Sequence, residues 1–471
     1  MNRRPSVLVL MCDQMQHDRM GWRDGVAHTP VLDRLAKEGV RFTNAYTCQG
    51  QCAPARAAFI TGLYAHQCGV MVNCGSSFHG HAATLGPQHV TLGHVFRDCG
   101  YRTAYFGKTH FGVPLTKLGF DVGLDITEVS MPEEKTMRQH APYASELMWK
   151  DAVATEEAVR YLRDYKPDDR PLFFVFSINL PHPPFFAEPR YIDLFRPERM
   201  EVPRSYHEER FAGKPRYQKE HAEDGKHGAG DESAVRTMIS RYYSMIALMD
   251  DYFGQVVAEF ERLGLWDNTV VLFTADHGDM LGAHGMRLKG TLPYDELYRI
   301  PCLLKLPKQV QPARQQIPDL ISSERFAGTL LRAAGLDLPA SFVNGDMYAA
   351  ILASEPPGDQ AVFFEHYAAY WGIHPFYGIR TPAHKYVRYY GPDDTEELYA
   401  MEADPHELRN LAKDPAFTAV RQALSDRAAQ WWHDTGGRDF AYYESPDFKA
   451  GKHNQWAGDL AAATNQRAAL C

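Results

Sequence analysis

Asp13-Gln14 and Asp276-His277 each follow directly on a short, almost wholly apolar run, residues 6–12 and 269–275, and His182 comes shortly after a third run, 171–178. Unbroken apolarity at strand length is what a parallel sheet covered by helices on both faces requires. Such sheets bind ligands outside the carboxyl ends of their strands, so three strands would bring acid, amide and imidazole groups to one edge. Two carboxylates, the Gln14 carbonyl and a His277 ring nitrogen make a divalent-cation set dominated by oxygen. It suits Ca2+, Mg2+ or Mn2+ better than zinc, and the imidazole tilts it toward Mn2+ relative to an all-oxygen set. Taken singly, Asp13 and Asp276 would serve equally well as helix caps. A further segment favours the site.

That segment is Gln51-Cys52-Ala53-Pro54-Ala55-Arg56-Ala57-Ala58-Phe59-Ile60-Thr61-Gly62. It is predicted to be a loop entering a short helix, with Pro54 near the first helical position and Gly62 just past the end. Cys52 then lies at the helix N-terminus, where free N–H groups and the macrodipole favour anionic oxygen or sulfur. Arg56, about one turn on, points back at the same volume. On residue type alone this is a low-pKa cysteine nucleophile.

The spacing Cys-x-Pro-x-Arg, followed by Thr61-Gly62, resembles the signature of the formylglycine-dependent sulfatases of the alkaline-phosphatase-like superfamily. Other segments are similar to further signatures of that family, in its order: Gly100 to His110, the Pro-His-Pro around His182, Thr274 to Gly282, Lys289-Gly290 with Tyr294-x-Glu296-x2-Arg299-Ile300-Pro301, and Glu397 to Pro405. The likeness spans about residues 6 to 412. Gln51, Phe106 and Thr109 depart from the commonest family residues. Asp13-Gln14 and Asp276-His277, in place of Asp-Asp and Asp-Asn, resemble the branch of choline sulfatases and phosphonate monoester hydrolases.

The resemblance implies a sulfuric ester hydrolase acting on a small-molecule or saccharide sulfate, or alternatively a phosphonate monoester or phosphodiester hydrolase with the same nucleophile. Cys52 would be oxidised by a formylglycine-generating enzyme to Cα-formylglycine. One hydroxyl of its hydrate would attack sulfur, and the second would let the enzyme expel sulfate. Lys108 and Lys289 would hold the sulfuryl group, Arg56 would support the formylglycine hydroxyl, His110 would be the base for the hemiacetal step, and His182 would stand near the leaving oxygen. The metal set would be Asp13, Gln14, Asp276, His277 and the residue derived from Cys52, around one divalent cation, Ca2+ first with Mn2+ or Mg2+ as alternatives. His66, His284 and Asp279, near matched motifs, read as structural.

The elements that must position these residues give an α/β class: a mostly parallel central sheet flanked by helices, with a smaller C-terminal α+β subdomain carrying an antiparallel sheet. The expected division is 1–360 and 361–471. Thr29-Pro30 reads as N-cap and first residue of a helix closed by Gly39, and a long helix is predicted over 233–263 with an apolar stripe from Tyr242 to Phe260. Residues 203–231 turn polar and lose their period, the mark of a surface insertion or lid. Strands are predicted near 361–365, 377–381 and 385–389, then a helix over 415–432. Tyr370, Trp371 and His374 are candidates for a pocket rim, and the aromatics Tyr442, Tyr443, Phe448 and Trp456 for contacts in a homo-oligomer.

With 471 residues, 45% of them hydrophobic, the chain can bury a large core. A formal charge of -9, from 50 Lys+Arg against 59 Asp+Glu with no basic run, argues against nucleic acid as a partner. No stretch approaches the roughly 18 apolar residues of a membrane span, and the run after Arg3-Arg4-Pro5 is too short for a signal peptide, so the expectation is a cytoplasmic protein without a membrane partner. Eight cysteines with no CxxC pair make neither a disulfide-dense scaffold nor a cysteine zinc site.

Overall fold

The computed structural model describes residues 4–74, 83–129, 145–168, 170–186, 188–342, 345–353, 360–369, 372–443 and 445–449. The apolar runs become strands almost residue for residue. β1 (Ser6–Cys12), β2 (Val40–Tyr46), β3 (Arg102–Gly107), β4 (Val122–Asp125), β5 (Leu172–Ser177), β6 (Thr269–Ala275), β7 (Arg299–Lys305) and β8 (Gln316–Ser322) form one sheet in the order β4-β3-β5-β1-β6-β7-β2-β8. β1 pairs in parallel with β5 and β6, and all three are buried at every position. β7 runs antiparallel to β6 and β2, so the sheet is mostly parallel, as expected.

The long helix spans Glu232–Arg262, capped by Asp231, whose carboxylate accepts from Ala234 N at 2.8 Å. Its apolar stripe lies on the sheet: Phe253 meets Phe176 and Phe273 edge-on at 5.9 and 5.8 Å, and Phe260 meets Phe174 at 5.8 Å. The same helix caps another. Buried Asp250 accepts from Val31 N at 2.8 Å and Leu32 N at 2.9 Å, at the start of the Pro30–Glu38 helix. Thr29 therefore does not cap as expected; its Oγ1 accepts from Gly21 N and donates to Asp33, each at 2.9 Å. One carboxylate facing two N–H groups displaces a hydroxyl that could satisfy one.

A second sheet, β9 (Val362–Ala369), β10 (Gly372–Arg380), β11 (His384–Tyr389) and β12 (Glu396–Ala400), is antiparallel, in the order β12-β11-β10-β9. The Thr418–Asp434 helix packs on it. It is tied closely to segments flanking strands of the first sheet: Glu365 N donates to Cys48 O at 2.9 Å, Lys385 Nζ reaches Asp295 at 3.0 Å, and Asp295 N donates to Glu407 at 2.7 Å.

The polar segment 203–231 is not a simple surface insertion. It forms the helices Arg204–Glu208 and Arg216–Glu223, and Ser205, Lys214, Tyr217, Gln218 and His221 are buried. Gln218 donates to Tyr389 Oη at 3.0 Å and Glu397 at 2.9 Å on the second sheet. Its polar composition reflects buried hydrogen bonding, which hydrophobic periodicity does not register. Tyr443 is likewise spent inside its own chain, 5.6 Å from the Tyr367 ring; Tyr370, Trp371 and Trp456 lie outside the described residues.

The turn after β5, which carries His182, is held by Asp151 of the Glu146–Asp164 helix. The Asp151 carboxylate accepts from Asn179 N at 2.8 Å, Asn179 Nδ2 at 2.9 Å and Leu180 N at 2.9 Å, and burial pushes its pKa up to about 7. Asp151→Ala leaves those donors buried without an acceptor, so urea unfolding should show a loss of about 2–4 kcal/mol.

Candidate active site

Cys52 is the first residue of the Cys52–Thr61 helix, and Pro54, expected there, sits two residues further in. Every residue of that helix is buried. The second residue's N–H, on Ala53, donates to Asn73 Oδ1 at 3.0 Å, and Gly62 closes the helix at φ 67° with its N–H on Ala58 O. Gly107 ends β3 at φ 119°, where a Cβ would fall 1.6 Å from Ser177 O. Only glycine permits that approach, after which Lys108 N donates to Ser177 O at 2.8 Å and its side chain reaches Asp13.

These elements converge on the Cys52 thiol. Sγ lies 2.8 Å from Lys289 Nζ, 3.2 Å from His277 Nε2 and 3.5 Å from Asp13 Oδ1. Lys108 Nζ is bonded to Asp13 Oδ2, and Lys289 Nζ also donates to Gln14 Oε1 at 2.9 Å. Arg56 is committed to holding this cluster rather than to Sγ: Nε donates to Asp276 Oδ2 at 2.7 Å, Nη1 to Lys108 O at 3.0 Å and Ser177 Oγ at 2.7 Å, and Nη2 lies 3.6 Å from Asp13. Gln14 has φ 66°, a conformation costing a non-glycine residue about 1–3 kcal/mol. Its backbone N–H on Asp276 at 3.0 Å and its carbonyl under Tyr242 Oη at 2.6 Å hold it there.

Burial would raise the Cys52 pKa, as would Asp13, but Lys108, Lys289 and His277 bring it well below the usual thiol value. Asp13 is also held well below the usual carboxylate range: burial opposes ionisation, and Lys108, Lys289, His182 and Arg56 outweigh it. For His182 burial dominates, with Lys289 and Lys108 adding to it, and its pKa falls to about 3. At neutral pH the ring of the free protein is uncharged, with its one N–H on Nδ1 facing Pro183 O at 2.6 Å.

Lys108, Lys289, Asp13, Gln14, Asp276 and His277 are thus brought together around Cys52. His110 follows Lys108 by two residues at φ 60°, with Nδ1 buried and unbonded among the described residues. His66 is structural, 2.9 Å from Glu365, and so is His284, 2.5 Å from Glu209 and stacked on Tyr294. Asp279 does more than expected. It accepts from Gln14 Nε2 at 2.5 Å and from Leu281 N and Leu288 N at 2.7 and 3.2 Å, fixing both the Gln14 amide and the loop leading to Lys289. Tyr242 and Ser177 were hidden in apolar runs, whose pattern marks burial and is silent on hydrogen bonds.

The sulfatase family model matches residues 5–336, and a model described as N-sulphoglucosamine sulphohydrolase, C-terminal, matches 282–433. The chain is 30% identical to the choline-sulfatase of Rhizobium meliloti over 489 residues, which span 94% of this chain and 89% of that protein. It is 23% identical to the N-acetylglucosamine-6-O-sulfatase of Bacteroides thetaiotaomicron, covering 90% of this chain and 85% of that one. In fold it is similar to the phosphonate monoester hydrolase of Agrobacterium radiobacter, with a TM-score of 0.73 at 22% identity over 92% of this chain and 96% of the other.

The donor set fits a hard divalent cation. Ligand atoms of Asp13, Cys52, Asp276 and His277 lie within 4.8 Å of one another, and Gln14 Oε1 is joined to them through Lys289. His277 Nδ1 faces Gly278 O at 2.8 Å, so the neutral ring keeps its proton there and turns the Nε2 lone pair to the cluster. Calcium at about a hundred times its Kd should therefore stabilise the protein by about 2.7 kcal/mol, read by thermal unfolding. Asp276→Asn should abolish that shift.

Proposed function

The chain belongs to the sulfatase family and is a sulfuric ester hydrolase, and from that premise we propose that Cys52 is the precursor of its nucleophile, acting on a small-molecule or carbohydrate sulfate ester. The observation that carries this reading is the buried Cys52 side chain, with Lys289, His277 and Asp13 all within 3.5 Å of Sγ. Converted to formylglycine and hydrated, position 52 would supply one hydroxyl to attack sulfur and a second whose deprotonation expels sulfate. A divalent ion held by Asp13, Gln14, Asp276 and His277 would supply the positive charge that lowers the pKa of the attacking hydroxyl.

Sγ stands where an oxygen of the hydrate would be attached, so its neighbours are that oxygen's neighbours. Lys289 donates to it. Lys108, anchored on Asp13, presents the second ammonium for the sulfuryl oxygens, on which negative charge builds as the ester bond breaks. Arg56 is a positioning residue, holding Asp276 and Asp13. His110 is assigned as base for the release of sulfate. His182, which feels the charges of Lys289, Asp13 and Lys108, is assigned to the leaving oxygen: the anionic ester bound beside it would favour the imidazolium, in which Nδ1–H stays on Pro183 O and Nε2–H passes to the departing alkoxide.

The Cys52–Thr61 helix is buried throughout, so an enzyme that modifies Cys52 by reading the Cys-x-Pro-x-Arg segment has to act before folding is complete. We take 361–471 as a C-terminal subdomain, and its second sheet supports the site from one side, since Gln51, next to Cys52, donates to Ala368 O at 2.6 Å. A second reading, hydrolysis of phosphonate monoesters or phosphodiesters, is favoured by Gln14 and His277 in the metal set and by the fold likeness above. Sulfuryl and phosphoryl centres are tetrahedral and similar in size. Comparison of kcat/KM for matched aryl sulfates, phosphonates and phosphodiesters decides between them, and a large phosphonate preference would replace the sulfate assignment.

Cys52→Ala is expected to abolish turnover and Cys52→Ser to leave little, because a serine lacks the second hydroxyl; near-full activity in Cys52→Ala would refute the assignment. His182→Ala should slow alkyl sulfates by about 10²–10⁴-fold while aryl sulfates, whose phenolates leave unaided, change far less. Equal slowing of both classes would remove His182 from that role.

A further inference from the structure

Away from Cys52, the segment 203–231 gathers a second set of metal-ligating groups. His221, at the C-terminal end of the Arg216–Glu223 helix, Asp224 just beyond it and His227 are spaced His-x2-Asp-x2-His. Their ligand atoms all lie within 4.8 Å of one another. The two Nδ1 atoms face each other at 3.3 Å, His221 Nδ1 is 3.9 Å from Asp224 Oδ2, and His227 Nδ1 is bonded to that same oxygen.

We propose that His221, Asp224 and His227 form a second metal site, which takes a zinc-class transition-metal ion and orders the 203–231 segment where its backbone pairs with the loop that carries Lys289. Three observations support it. A tetrahedral ion with metal–nitrogen bonds of roughly 2.0–2.1 Å holds its ligand atoms about 3.3 Å apart, the separation the two imidazole nitrogens already have. Two nitrogens and one carboxylate oxygen match zinc, cobalt or nickel rather than calcium, in contrast to the oxygen-rich set around Asp13. Both rings are buried, at 8 and 6% exposure, whereas the Asp224 side chain is 38% exposed, leaving solvent a side from which to complete the coordination.

The rings are also held from behind. His221 lies edge-on to His374 at 6.1 Å, and His374 is stacked on Tyr217 at 3.8 Å and bonded to Asp393 at 2.6 Å. Entry of the ion would displace the proton shared by His227 Nδ1 and Asp224, which passes to solvent. The link to catalysis is short: Arg287 N donates to His227 O at 2.9 Å, Gly228 bridges Met286, and Lys289 follows two residues after Arg287.

The test uses the full chain with excess Ca2+ to fill the Asp13 set, incubation with Co2+, desalting, and measurement of retained cobalt with its visible absorption. Wild type and Asp276→Asn should each retain one equivalent with the bands of a nitrogen-containing, low-coordinate site, and His227→Gln and Asp224→Asn should lose it. Equal retention in wild type and His227→Gln, or loss only in Asp276→Asn, would overturn the inference. Circular dichroism checks folding, and if His227→Gln fails to fold, the half-exposed Asp224→Asn carries the decision alone.

Discussion

Asp13, Asp276 and Asp279 are buried at the carboxyl edge of the main sheet, and so are Arg56, Lys108 and Lys289 that face them. Removing an ion from water costs several kcal/mol, so each of these groups is tolerable only because the others are in place. The surrounding structure meets that condition. β1 and β6 deliver two of the acids side by side, Gly107 lets Lys108 come in from β3, and the Cys52–Thr61 helix brings Arg56 beneath both acids. The ammonium groups of Lys289 and Lys108 then lie against Cys52 Sγ and against Asp13.

The remainder of the chain supports that edge more than it surrounds it. Asp151 fixes the turn to His182, Tyr242 and Asp276 hold Gln14 in a strained conformation, and Asp279 joins Gln14 to the Lys289 loop. The second sheet grips the loop leading into Cys52, and the 203–231 segment grips the loop leading into Lys289. A rigid frame of this kind suits a reaction in which charge moves between fixed oxygens, because the stabilising dipoles need not reorganise.

Much of this was legible in the sequence. The runs 6–12 and 269–275 gave strand boundaries to the residue because fully buried parallel strands leave an unbroken apolar signal, and the groups just after them are the ones that meet at Cys52. The motif resemblance added Lys108 and Lys289, which no periodicity would single out. The tertiary substitutions for local signals were not legible. Asp250 caps a helix more than two hundred residues away, Lys214 and Gln218 are polar yet buried, and Tyr242 sits in an apolar stripe while its hydroxyl serves the site. Each depends on a partner distant in sequence, and local pattern carries no record of it.

The central claim is that the reactive oxygen is made from Cys52, and it is tested most directly by relating activity to the chemical state of that position. Preparations ranging from wholly thiol to wholly converted can be graded by aldehyde-specific labelling of the peptide containing residue 52 and assayed on one sulfate ester. Specific activity is expected to rise in proportion to the labelled fraction and to extrapolate to zero in thiol-only protein. Full turnover by protein whose Cys52 is entirely thiol would contradict the account.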